Sequence, residues 1–249
     1  MTEFRPKPER TASFSPLYKQ IKDLLLQSLE AGDYKPGESI PSEQELANRY
    51  QVSQGTVRKA IDELSAENVL IRRQGKGTFV ATHHEAEVRY RFLRLFADES
   101  DDNKRAQSQF LSCEEQEPSA EHRRIFELGR DEKIICIKRL MNLLDRPTIY
   151  EEIYLPANTY KGMSLELLVD NRDPLYGLFE SKFAVQLIRC DEKLKAVAAP
   201  SDVATLLQVA SGSPLLSIER VSYTFGDKPM EIRTGLYCTE HHHYRNSLY

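Results

Sequence analysis

IPSEQELANRYQVSQGTVRKAIDELSAENVLIRRQGKGTFV, residues 40–80, reads as two short helices, a tight turn between them and a basic hairpin after them. Ser42 and Glu45, three apart, form a capping box in which hydroxyl and carboxylate satisfy orphan amides at a helix start. That helix carries Leu46 and Ala47 inward and stops near Tyr50. Val52 falls in the turn, and Ser53 is placed to N-cap a second helix. There Val57, Ala60, Ile61 and Leu64 recur at i, i+3, i+4 and i+7, which makes one apolar face. Gly55, Arg58, Lys59 and Asp62 fall on the other. Two helices at this spacing, the second opening on small, polar and basic residues, predict a helix-turn-helix. Val69-Leu70-Ile71 and Thr78-Phe79-Val80 then flank Arg72-Arg73-Gln74-Gly75-Lys76-Gly77, two strand signals around a glycine-rich basic tip, which is the pattern of a wing. A helical domain with a merely solvated charged face is the bland alternative. The joint spacing of cap, turn, apolar face and wing favours a winged-helix DNA reader.

Upstream, Pro16 suits the first turn of a helix whose core side includes Leu17, Ile21, Leu24, Leu25 and Leu29. Gly32-Asp33 ends it and Lys35-Pro36-Gly37-Glu38 is a turn. Residues 1–14 mix Pro, Arg, Lys, Glu and Thr without periodicity, and a disordered arm is expected there. Residues 15–80, with Pro16-Leu17-Tyr18, Pro36-Gly37, Pro41-Ser42-Glu43, Leu46-Ala47, Val52-Ser53, Thr56-Val57-Arg58 and Gly75-Lys76-Gly77-Thr78-Phe79-Val80, resemble the DNA-binding domain of the GntR family of bacterial transcription regulators.

The chain of 249 residues has room for one large domain or two ordinary ones and carries no long apolar run, so no membrane span is expected. No apolar leader follows the N-terminus, and Cys113, Cys136, Cys190 and Cys238 lie far apart with no CxxC. Reduced thiols and a cytoplasmic location are expected. The net charge of −4 argues against a nucleic-acid partner until it is divided along the chain. Residues 49–80 hold 6 basic and 3 acidic side chains, so positive charge is focused on the second helix and the wing.

From Ala81 to about Glu87 the apolar pattern lapses, which marks a linker at 81–87. His83-His84 lies in it without further ligands at suitable spacing, and no metal site is expected. Beyond it, strand signals at 90–96, 133–144, 148–155, 185–197, 215–225 and 230–239 alternate with helical ones opening at Pro118-Ser119 and spanning 164–169, 174–183 and 201–209. Hairpins beside helices imply an α+β fold with an antiparallel sheet over 88–249. The order of elements, with Arg139-Leu140, Arg146-Pro147, Glu151 to Pro156, Leu175-Tyr176, Ser213-Pro214-Leu215-Leu216 and Lys228-Pro229-Met230-Glu231, resembles the effector-binding UTRA domain of the HutC branch of that family, whose fold is like chorismate lyase. The other large branch carries an all-helical effector domain.

For DNA, Gln54 and Arg58 stand one turn apart at the start of the second helix, suited to adenine and guanine edges in a major groove. Ser53, Thr56 and Gln44 suit phosphate, as do Arg73, Gly75, Lys76 and Thr78 of the wing; the resemblance implies the same positions. Many relatives carry Arg where this chain has Gln54, so the operator bases are left open. For a ligand, side chains two apart share a strand face: Arg139 and Met141 on one strand, Glu231, Arg233 and Tyr237 on another. The resemblance adds Pro174 and Tyr176 around the ligand. Met141 and Pro174 replace the Arg and Ser of sugar-phosphate-binding relatives, which favours a small carboxylate-bearing metabolite. The competing reading pairs Arg139 and Arg233 with Glu151 or Glu231 as structural ions. The expectation is a homodimeric regulator, a repressor released from a palindromic operator by that metabolite. It has no catalytic residues, cofactor or metal. His241-His242-His243 alternates faces on a terminal strand and presents no acid–base pair, so a lyase-like enzyme fused to a DNA-binding domain is the lesser alternative, with a ligand-independent DNA-binding protein as another.

Overall fold

The computed structural model describes residues 15–82, 93–98, 106–143, 145–171 and 173–246. The arm at 1–14, His83-His84 with most of the linker, and most of the 98–104 loop lie outside them. Helices α1 (Leu17–Glu30) and α2 (Glu43–Tyr50) both pack on α3 (Gln54–Ala66). The Ser42–Glu45 capping box forms, the Ser53 hydroxyl accepts the Thr56 amide, and Gln51 turns left-handed (φ 55°) to end α2. Val57, Ala60, Ile61 and Leu64 are fully enclosed, so the predicted face is the core of this domain. Leu17 and Leu24 are not in it. The row Ile21, Leu25, Leu29 faces α3, leaving Leu17 beyond the core and Leu24 on its flank. Strands β1 (Leu70–Arg73) and β2 (Gly77–Val80) pair as the wing.

The second domain is a six-stranded antiparallel sheet in the order β4-β5-β6-β9-β8-β7. Its strands are β4 (Gln107–Gln116), β5 (Ile134–Leu143), β6 (Arg146–Pro156), β7 (Arg189–Ala198), β8 (Pro214–Tyr223) and β9 (Pro229–Tyr237). A short pair, β3 (Leu95–Ala97) with β10 (His242–Tyr244), adds a second sheet. Helices α4 (Ala120–Phe126), α5 (Leu165–Asp170), α6 (Leu175–Phe183) and α7 (Ser201–Leu207) complete it. Ile135, Ile137, Ile153 and Leu155 pack against Leu175, Leu178 and Phe179 of α6 to form the largest core. Strand β4 has no counterpart in the sequence reading, and the strand expected from 185 begins only at Arg189. Helix α4 ends at Phe126, with Glu127 turning left-handed. No helix among the described residues is long and apolar enough to cross a membrane.

The two domains touch. Ile188 and Phe225 pack against the winged-helix core, the Thr82 hydroxyl donates to Glu180 of α6 at 2.7 Å, and the Gln186 amide donates to the Ala81 carbonyl.

Candidate functional site

The winged helix presents the start of α3 and the wing on one side. Arg58 projects from α3 with 57% of its side chain exposed, and its guanidinium lies against Glu43, the first residue of α2. Glu43 Oε2 accepts from Arg58 Nε at 3.0 Å and from Gln54 Nε2 at 3.3 Å, while Oε1 accepts from Arg72 Nη1 at 2.8 Å. The Arg58 guanidinium holds this carboxyl below the usual range, against the opposing effect of partial burial. Gln54 and Arg58, the expected base readers, therefore converge on one acid that the sequence reading quoted in a motif but gave no role, and Arg72 joins them. Ser53 is engaged as the α3 cap, with Thr56 Oγ1 2.9 Å from its hydroxyl. Gln44 is exposed and donates to Asn48. In the wing, Gly75 and Gly77 take positive φ (69° and 106°), which keeps the tip tight, and Lys76 is exposed. Arg73 stacks its guanidinium 4.3 Å from the Phe79 ring centroid. Thr78 does not fit its expected phosphate role. The two-residue period of β2 turns it inward with Val80, and it is buried.

A cavity of about 510 Å³ opens between the β4–β5 end of the sheet and the α5–α6 turn, within the range of small-molecule sites. Arg139, Met141, Tyr176, Arg233 and Tyr237, all expected from sequence, line it. Glu231 does not. It is wholly enclosed and meets the cavity lining through Tyr176 OH (2.9 Å) and Arg233 Nη2 (2.8 Å). The sheet order explains the electrostatics. Strand β6 runs between β5 and β9, so its Glu151 sits between Arg139 and Arg233. Arg139 Nε and Nη2 both lie 2.7 Å from Glu151 Oε2, and Arg233 Nη1 lies 3.1 Å from it. The space between the two arginines is thus filled by the protein's own carboxylate. The pairing weighed against ligand binding at these residues is formed.

Tyr237 OH donates to Glu151 Oε1 at 3.0 Å, its ring lying across Gly235, where a Cβ would stand 2.3 Å from ring carbon Cε2. Burial alone would raise the Glu151 carboxyl, but Arg139, Arg233 and Arg220 pull it down to about 2. Burial pushes the Tyr176 phenol up to about 12. Arg220, a further lining residue, pairs with Glu192 through Nε at 2.8 Å. Among the described residues the buried network holds three guanidinium groups (Arg139, Arg220, Arg233) against three carboxylates (Glu151, Glu192, Glu231). Arg139 Nη1 also donates to Ser108 of β4 at 3.2 Å. Ser108, Phe110 and Arg220 were missed from sequence. Arg220 left a faint signal as a lone cation within the alternating run of β8. Leu93, Phe110, Met141, Leu168, Val169 and Pro174 make much of the remaining wall apolar. Helix α6 brings its N-terminus there, with Pro174 at the N-cap and no side-chain acceptor.

Comparison with known proteins follows this division. The family model described as the UTRA domain matches residues 101–243, and that described as bacterial regulatory proteins, gntR family, matches residues 17–80. An HTH-type transcriptional regulator from Mycobacterium tuberculosis is 31% identical over 220 residues, covering 87% of this chain and 80% of its own. A protein from Escherichia coli K12 named "Probable fructoselysine utilization operon transcriptional repressor" is 29% identical over 222 residues, covering 89% of this chain and 90% of its own. The solved ligand-binding domain of a regulator assigned to the GntR family from Bordetella bronchiseptica is 49% identical, with a TM-score of 0.63 over 64% of this chain and 99% of that one. YydK from Bacillus subtilis, at 19% identity and a TM-score of 0.57 over 94% of this chain and 100% of its own, shares the fold.

Proposed function

This chain belongs to the gntR family of bacterial regulatory proteins and is a DNA-binding transcriptional regulator with a UTRA domain, and from that premise we propose that it is a cytoplasmic repressor released from its operator by a small carboxylate-bearing metabolite. The domains divide at a linker over 81–87, with DNA reading in 15–80 and effector binding in 88–249. The antiparallel effector sheet supports the HutC branch over relatives with all-helical effector domains. DNA reading falls to Gln54 and Arg58, with Ser53, Thr56, Gln44, Arg73, Gly75 and Lys76 towards phosphate. One winged helix spans a half-site, so a homodimer on a palindrome is the working form. A single protomer per operator in analytical ultracentrifugation would remove that part.

The observation that carries the effector class is charge balance. Among the described residues three buried cations already face three buried anions, so a dianionic sugar phosphate would bring charge that this network does not compensate. A single carboxylate has the edge of Arg139 that faces Ser108 and the positive end of α6. The apolar wall suits the rest of such a molecule. A thermal-shift screen of carboxylates against sugar phosphates tests this, since a ligand at 100 times its dissociation constant adds about 2.7 kcal/mol. Arg139→Ala should still hold the operator yet ignore the metabolite. Stabilisation and operator release by sugar phosphates alone would overturn the carboxylate reading.

A further inference from the structure

We propose that Glu43 is a positioning residue for sequence readout: it clamps Arg58 and Arg72 so that the recognition arginine meets DNA in one orientation. The proposal rests on the reading of α3 as the base-contacting helix. An acid on a DNA-facing surface is repelled by phosphates and weakens binding to every sequence, so its presence calls for a compensating role. The geometry supplies one. Three side chains from the start of α3 and the base of the wing reach a single carboxylate that is itself only 14% exposed. Glu43 takes the Nε–Nη2 edge of Arg58 through Oε2, at 3.0 and 2.9 Å. That leaves the end-on Nη1–Nη2 pair for guanine O6 and N7, the bidentate contact by which arginine reads a base. Without the clamp the exposed guanidinium is a mobile cation, as content on a phosphate as on a base. Arg72 ties the same acid to the wing, so helix and wing are set relative to each other through one residue. The α2 capping box uses Glu45, not Glu43, so the cap does not depend on this side chain.

Asp62 provides the internal comparison. It accepts from Arg72 at 2.7 Å but is not hydrogen-bonded to Arg58. Duplexes enriched from a random library by the wild-type chain, and scrambled duplexes of the same composition, are titrated with Glu43→Gln, Glu43→Asp and Asp62→Asn at graded salt. Glu43→Gln should bind scrambled DNA several-fold more tightly, with a salt slope steeper by about one. Its ratio of enriched to scrambled affinity should fall roughly ten-fold or more, the worth of one bidentate base contact. Glu43→Asp keeps the charge but shortens the reach, so the ratio should fall while scrambled affinity holds. Asp62→Asn should raise both affinities and leave the ratio unchanged. Unchanged ratios in both Glu43 variants, or an equal fall in Asp62→Asn, would overturn the positioning role while leaving DNA reading intact. Should Glu43→Gln melt early, Glu43→Asp decides alone. Failure of the wild type to enrich any duplex would overturn the DNA reading, and this inference with it.

Discussion

Glu151 is the residue on which the effector domain turns. It is 1% exposed, lies between two guanidinium groups and accepts a phenol, so its ionised form is held from three sides. Removing one partner of a buried pair is costly because the other charge stays behind, typically ~3–5 kcal/mol. The pH dependence has a definite sign. The carboxyl titrates at about 2 in the folded chain against 4.5 when unperturbed, a depressed value. Its stabilisation is therefore complete above pH ~5 and lost as pH falls from 4.5 towards 2, on the order of 3 kcal/mol in all. Glu151→Gln should lower the melting temperature at neutral pH by roughly 6–20 °C. Between pH 5 and 3 it should then lose less stability than the wild type. Parallel melting curves for the two proteins over that range would expose a wrong assignment.

At the scale of the element, legibility follows how local the signal is. Caps and periodicities such as Ser42–Glu45 and Val57–Leu64 are complete within a few residues, so the winged helix could be read directly. Strand β4 could not. It is an edge strand whose side chains are nearly all half-buried or exposed, so the alternation that betrays a strand is missing from QSQFLSCEEQ. Ser108 and Phe110 went unread with it, although they help to wall the cavity. Arg139 was legible because β5 is apolar and a cation inside it stands out, but its partner depended on strand order, which spacing does not reveal. Gly235 of β9 shows the same dependence. Its missing side chain is explained only by the Tyr237 ring lying over it. Gly235→Ala should push that ring off Glu151 and weaken the response to effector while leaving operator affinity within about two-fold; an unchanged release curve would show the close approach to be dispensable. In the wing, Lys76→Ala should weaken all duplexes about equally and reduce the salt slope by about one, whereas Arg58→Ala should reduce discrimination by ~1–3 kcal/mol per half-site. Equal effects of the two substitutions on discrimination would merge the roles assigned to them.

At the scale of the whole molecule, α6 touches both the cavity and the end of the winged helix. Its first turn carries Tyr176, which lines the cavity, and one turn further on Glu180 accepts the Thr82 hydroxyl just past the wing. Gln186, beyond the helix, holds the Ala81 carbonyl, and Ile188 reaches the winged-helix core. A helix of nine residues moves as a unit, so a ligand that shifts its N-terminus shifts the grip on Thr82 too. A ligand biases operator binding only through unequal affinity for two arrangements of the domains, a coupling typically worth 1–3 kcal/mol. A hydrogen bond to a charged group is worth about 1.5–3 kcal/mol, enough to carry much of that coupling. Thr82→Val keeps the shape and deletes the donor. It should bind the operator within about two-fold of wild type, keep the thermal shift given by the best carboxylate from the screen, and need roughly ten-fold more of it for half-release. Operator release measured by fluorescence anisotropy decides the point. A wild-type release curve in Thr82→Val, with ligand binding intact, would mean that the signal bypasses this contact.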